Sequence, residues 1–259
     1  MTTILRTTTT ERTATKRAPM DKMRKTALVA GVFYLITFIS IPTLALYGPV
    51  RNHRDWILTS GSHTGMLVGG FLEVIVALAG IGTAVTLYPV VKRQNEGVAL
   101  GFVAARVLEA AMIFTGVVSL LSLVTLRQDL GGAAGPNAAA LVTVGASHVA
   151  VYNWTFLLSQ SLMPGINALL LGSLLYRSRL VPRIIPVLGL IGAPLLIASV
   201  FATLFGGIKL GSPLFAALPV AAWELSLGVW LVVKGFKPSP ITAGMTATDT
   251  APAYHDITA

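Results

Sequence analysis

The chain has 259 residues, of which 54% are hydrophobic and only 11% charged, and its formal net charge is +9. Soluble domains carry about 25% charged residues, so lipid is the expected solvent. The basic residues are scattered over short loops and a tail, which argues against nucleic acid as a partner. Cysteine is absent, which excludes disulfides, thiolate metal sites and a cysteine nucleophile.

In the bilayer core every backbone N–H and C=O must find a partner within the protein, so a spanning segment is a helix or part of a closed barrel, and a helix needs roughly 20 apolar residues. The apolar runs here reach that length and do not alternate as strands would. The expected fold is all-α, a polytopic transmembrane bundle of about six helices. Residues 1–24, rich in Thr, Arg and Lys, read as a disordered cytoplasmic tail. The first run covers about 25–46; its basic flank and Thr43-Leu44-Ala45 resemble a secretory signal, but it exceeds a signal core in length. Further spans are expected at about 66–91, 98–126, 152–176, 184–205 and 213–233. The stretch 127–151, containing Gly131-Gly132-Ala133-Ala134-Gly135-Pro136, reads as a flexible loop. The transmembrane domain is thus 25–236, and the proline- and threonine-containing segment 237–259 reads as a second disordered cytoplasmic tail.

Cytoplasmic loops carry an excess of Lys and Arg. With both termini inside, the inner side holds Arg6, Arg12, Lys16, Arg17, Lys22, Arg24 and Lys25 in the tail. Lys92, Arg93, Arg177, Arg179, Arg183, Lys234 and Lys237 complete that side. The outer side holds Arg51, Arg54, Arg127 and Lys209, so the balance is fourteen against four. An N-in, C-in orientation follows. The remaining basic residue, Arg106, falls inside the third span.

Glu73, Arg106, Glu109 and Glu224 all lie within expected spans, where a charge costs roughly 2.5–3.5 kcal/mol and so turns inward to find partners. Helical spacing agrees. Glu73 shares a face with Gly69, Ala77, Gly80 and Ala84; Glu109 with Gly101, Ala105, Met112 and Gly116; Glu224 with Ala217, Ala221 and Gly228. Small residues let backbones approach, so these stripes mark helix contacts. In the fourth span Asn153, Gln160, Pro164 and Asn167 form a polar stripe. Pro164 removes a main-chain donor and Gly165 loosens the same turn, so a helix break is expected there.

Arg106 and Glu109 stand at i and i+3, close enough to pair within one helix, while Glu73 or Glu224 can reach Arg106 from a neighbour. The leading reading is therefore an integral membrane protein of unassigned role with a buried Glu/Arg clamp. Yet three carboxylates and one guanidinium do not balance, and an unpaired buried carboxylate takes up a proton or attracts a cation. That imbalance supports an alternative, a proton-coupled or cation-linked small-molecule carrier. Its candidate site comprises Glu73, Arg106, Glu109, Glu224, Gln160 and Asn167, with Asn153 on the same polar stripe. Splitting the six spans into two halves of three gives opposite orientations, as an inverted repeat requires.

An intramembrane enzyme is a third reading, without a catalytic residue to name. There is no phosphate loop, dinucleotide fingerprint, GxSxG elbow or paired-aspartate pattern, and no cofactor is expected. Ser147 and His148 are adjacent on a helix and do not face each other. His53, His63 and His148, with Asp55 or Asp129, lack zinc-ligand spacing, so no metal is assigned. The exposed run Arg177, Arg179 and Arg183 suits a positive-inside anchor and anionic lipid head groups as the partner. Protein partners have no signature.

That run, Tyr176-Arg177-Ser178-Arg179-Leu180-Val181-Pro182-Arg183 followed by Ile185-Pro186-Val187-Leu188-Gly189-Leu190-Ile191-Gly192-Ala193, resembles the bacterial membrane-protein family catalogued as domain of unknown function 4386. Arg24-Lys25-Thr26-Ala27 leading into Gly31-Val32-Phe33-Tyr34-Leu35, and Arg106-Val107-Leu108-Glu109-Ala110, are similar to other segments of it. The resemblance covers about 22–237. It implies a bacterial inner-membrane location and a bundle of six or seven helices, brings no catalytic residues, and makes the Arg106–Glu109 pair part of a common scaffold.

Overall fold

The computed structural model describes residues 21–130, 135–207 and 214–243. Most of the two expected tails, 1–20 and 244–259, and Lys209 lie outside the described residues. Among the described residues, six stretches are long and apolar enough to cross a membrane: Lys22–Leu46, Thr64–Val91, Glu96–Leu130, Gly135–Ser178, Ile184–Leu204 and Phe215–Val233.

The first span is not one straight helix. Helix α1 (Lys22–Thr37) gives way to a 3₁₀ turn, Phe38–Ser40, before the short helices α2 (Thr43–Leu46) and α3 (Gly48–Asn52). The hydroxyls of Thr37, Ser40 and Thr43 donate to the carbonyls of Tyr34, Thr37 and Ser40, competing with the main-chain ladder. Pro42, which has no N–H to give, completes the break.

Helices α4 (Thr64–Val91) and α5 (Glu96–Leu130) follow, joined by a tight turn. Most of the expected loop 127–151 is helix: α5 runs on to Leu130, and α6 (Ala138–Leu157) starts soon after. The Gly- and Pro-rich start of this stretch reads as a loop, but the residues that follow, 138–151, set Leu141 and four valines among alanines, apolar enough to extend the span and rich in the strongest helix former. From α6 the chain passes through a π-helical turn, Leu158–Leu162, into α7 (Met163–Ser178), then α8 (Ile184–Leu204) and α9 (Leu214–Val233). The departure from α geometry thus lies just before Pro164, where the ring crowds the preceding turn. Gly165 serves packing: a Cβ there would stand 2.8 Å from Ile197 Cγ1 and 3.4 Å from the carbonyl oxygen of Ala193 on α8.

Helix α1 packs on α4, α4 on α5, α5 on α7, α7 on α8, α8 on α9 and α9 back on α1, with α6 against α5. The ring closes where glycines remove side chains. A Cβ on Gly31 would sit 2.8 Å from the carbonyl oxygen of Gly228, and one on Gly189 would sit 2.6 Å from the Trp223 indole.

One end of the ring is tied by the chain termini of these helices. Arg24 donates to the last carbonyls of α9, at Leu231 (2.8 Å) and Val232, a favourable place for a cation at a helix C-terminus. Residues 237–243, expected to be disordered, instead fold back on the α7–α8 turn. The Lys237 N–H donates to the Leu180 carbonyl (2.7 Å) and the Ser239 hydroxyl to the Ser178 carbonyl (2.6 Å). These are main-chain and hydroxyl contacts that leave no trace in hydropathy.

Candidate functional site

Arg106 occupies the interior of the ring with a side chain only 3% exposed. Its guanidinium is shared. Nη1 donates to Glu109 Oε2 at 3.0 Å, one turn along α5, and Nη2 donates to Glu224 Oε1 at 2.8 Å, across on α9. From α7, Asn167 Nδ2 donates to the same Glu109 oxygen at 2.7 Å. Tyr34 of α1 accepts a longer contact from Nη2, 3.4 Å, and the guanidinium lies over the Tyr34 and Phe102 rings, 5.5 and 5.8 Å from their centres. One cation therefore joins α1, α5 and α9 directly, and α7 through Glu109.

Gly80 of α4 faces this arginine. A Cβ there would lie 3.9 Å from Arg106 Cδ, so α4 meets the arginine through a residue with no side chain. Glu73 is two turns away, about 10 Å along the helix at 1.5 Å per residue. It does not bond Arg106. It belongs to a second cluster, 1% exposed, where Tyr152 donates to Oε1 at 2.9 Å, Gln160 to Oε1 at 3.2 Å and Tyr47 to Oε2 at 3.5 Å. The four carboxylate and guanidinium groups that share the bundle interior are thus divided between two levels.

Asn153 takes part in neither cluster; its Oδ1 accepts from Arg51 Nε at 3.0 Å. Arg51 in turn lies over the Tyr152 and Phe156 rings. Tyr34, Tyr47 and Tyr152 were absent from the sequence-derived set; Tyr47 and Tyr152 stand at span ends, where tyrosine usually anchors at the membrane interface, and Tyr34 is an uncharged residue within the first span. Their one signal is a hydroxyl on the same helical face as small or polar neighbours. Arg177, Arg179 and Arg183 are exposed at the α7–α8 turn, Arg183 stacking on Tyr176.

A cavity of about 330 Å³ opens against the first cluster. Arg106, Glu109, Glu224 and Gln160 line one side of it, and aliphatic residues such as Val76, Ile113 and Leu196 line the rest. Its size falls in the range of small-molecule sites, and so does its pattern of apolar walls with a few convergent polar groups. Among the described residues, Glu109 and Glu224 each keep one carboxylate oxygen that accepts no hydrogen bond, and Arg106 Nε and Asn167 Oδ1 are buried without a partner.

Two other constellations do not build a site. Ser119 Oγ lies 3.1 Å from His148 Nδ1, but it also donates to the His148 carbonyl at 2.9 Å, and neither residue borders the cavity. His63 meets Gln128, and among the described residues no three of His, Asp and Glu converge as metal ligands would.

Fold and site together define a multi-span helical membrane protein with a charged cluster and a cavity inside the bundle. Within that class the chain belongs to the family described as Domain of unknown function (DUF4386), which matches residues 29–235. No curated protein and no solved structure matches it significantly.

Proposed function

We propose that the protein is a proton-linked carrier of small molecules whose binding site is the cavity at Arg106, Glu109 and Glu224. The observation that carries this reading is the cavity itself, because it meets the cluster where two carboxylates share a single guanidinium. With both carboxylates ionised the triad holds one net negative charge, which a low-dielectric interior does not tolerate without a proton or a cation. A proton and a cationic solute then compete for the same oxygens, and that competition is the physical basis of exchange.

The same proposal places the chain in the bacterial cytoplasmic membrane with both termini inside. Supporting it, segments that carry basic residues lie together at one end of the ring: Arg24 donates to the Leu231 and Val232 carbonyls just before Lys234, and the Lys237 N–H donates to the carbonyl of Leu180, next to Arg179. There Arg177, Arg179 and Arg183 would face anionic head groups.

The test is proton movement in reconstituted vesicles. Protein in liposomes with an acidic lumen and an entrapped pH dye is challenged with a panel of small amines and quaternary ammonium ions. Wild type is expected to dissipate the gradient with some of them, and Glu109→Gln and Glu224→Gln to lose that activity while remaining monodisperse. Wild-type rates in both variants, or no response to any solute, would overturn the carrier reading.

A further inference from the structure

Helices α1 and α9 are in contact at Gly31 and Gly228, and again where Tyr34 and Leu35 cover Gly228. Beyond that level α1 ends, and the 3₁₀ turn and α2 pack on α4. On the other side stand Ala217, Leu218 and Ala221 in the first half of α9, which also line the cavity. The rim carries Ile41, Leu44 and Leu218, which are 62%, 43% and 56% exposed. These are large aliphatic side chains within membrane-spanning segments, so the medium they are exposed to is lipid.

We propose that this gap is a lateral portal and that the ligand is a cationic amphiphile. Its apolar body enters from the bilayer between α9 and the 3₁₀ turn with α2 that follow α1, and its ammonium head seats against Glu109 and Glu224. This deepens the carrier reading and rests on it. Three observations select the class. The polar end of the cavity has one carboxylate more than Arg106 can neutralise, so a cation fits and an anion would add to the excess. Most of the wall, Val76, Ala77, Ala110, Ile113, Leu196 and Val220, offers aliphatic contact, and the Thr37 and Ser40 hydroxyls that also line the cavity are spent on the Tyr34 and Thr37 carbonyls, so a small hydrophilic cation would lose much of its water without compensation. The exposed aliphatic rim suits a chain arriving from lipid; a water-filled mouth would call for polar residues there.

The experiment measures binding of three labelled probes to the full chain in nanodiscs, with empty nanodiscs subtracted. Decyltrimethylammonium has the apolar chain and the charge; decyl sulfate keeps the chain and reverses the charge; tetramethylammonium keeps the charge and lacks the chain. Decyltrimethylammonium is expected to bind at least about tenfold more tightly than either, the equivalent of one favourable contact. It should release protons as it binds. Glu224→Gln should weaken it about tenfold or more. Ala217→Phe, which fills the portal, should weaken it comparably. Leu218→Gln, at a rim position already 56% exposed, should weaken it by a few fold and guards against misfolding of the first portal variant.

Preference for tetramethylammonium, with proton exchange intact in vesicles, would overturn the amphiphile and leave the carrier standing. Equal binding of decyl sulfate and decyltrimethylammonium would mean that the cavity merely holds a lipid chain, and would overturn the charge argument. Binding unaffected by both Ala217→Phe and Leu218→Gln would overturn the portal. Failure of all three probes together with silence in the vesicle assay would remove both readings.

Discussion

Replacing Arg106 by methionine keeps the length and apolar stem of the side chain and removes the only guanidinium, among the described residues, in contact with Glu109 and Glu224. The Arg106 side chain is 3% exposed and its two carboxylate partners 11% and 15%, so solvent screens these contacts little. Removing one partner of a buried pair costs about 3–5 kcal/mol, because the other is left charged in a low dielectric. Two carboxylates are stranded here, and the contacts with the Tyr34 and Phe102 rings are lost as well, worth about 0.5–2 kcal/mol. Uptake of protons by the stranded carboxylates recovers part of this, so the expected net cost is about 3–5 kcal/mol. The decisive comparison is the triple variant Arg106→Met, Glu109→Gln, Glu224→Met. It has no charge left to strand, and the amide introduced on α5 still offers Asn167 a carbonyl, so it should return to within about 1 kcal/mol of wild type. Equilibrium unfolding by SDS in mixed micelles, followed by the fluorescence of the four tryptophans, measures both. A single variant costing less than about 1 kcal/mol, or a triple variant no more stable than the single, would refute the shared-cation account.

The same titration tests two further expectations. Gly189→Ala places a methyl group 2.6 Å from Trp223 Cδ2, and the indole is fully buried against Tyr34, so overpacking should cost about 1–3 kcal/mol and Trp223→Phe in the same background should relieve part of it. Tyr152→Phe removes the 2.9 Å donor to Glu73 and should cost about 1–3 kcal/mol. Because Glu73 and Arg106 share no hydrogen-bond partner, its effect should add to that of Arg106→Met within about 0.5 kcal/mol; a coupling above about 1 kcal/mol would join the two clusters.

What hydropathy and helical period dictate was legible in the chain: the membrane spans and the inward faces of Glu73, Arg106, Glu109 and Glu224. The Arg106–Glu109 contact is intrahelical and follows from spacing alone. Its extension to Glu224 needed α5 and α9 to lie at matched depth, which the sequence permits but does not require. The separation of Glu73 was not legible, since a face says nothing about level: Gly80, on the same stripe two turns on, is the residue opposite Arg106. Helix α6 was hidden by the glycines and proline that precede it, which read as a loop. The fold-back of 237–243 depends on two carbonyls of the α7–α8 turn that only the folded chain brings near.

The second carboxylate decides between a clamp and a binding site. A clamp that only held α5 to α9 would be complete with Arg106 and Glu224. Glu109 is on the same helix as Arg106, so it ties no further pair of helices to the arginine except through Asn167, and a neutral glutamine would accept that bond equally well. An extra charge within a span costs roughly 2.5–3.5 kcal/mol, and this one lies against a cavity instead of a packed wall. The excess negative charge has no structural use that an amide could not supply. On the proposed carrier reading, its use lies in what it attracts into the cavity, a proton in one state and a cation in the other.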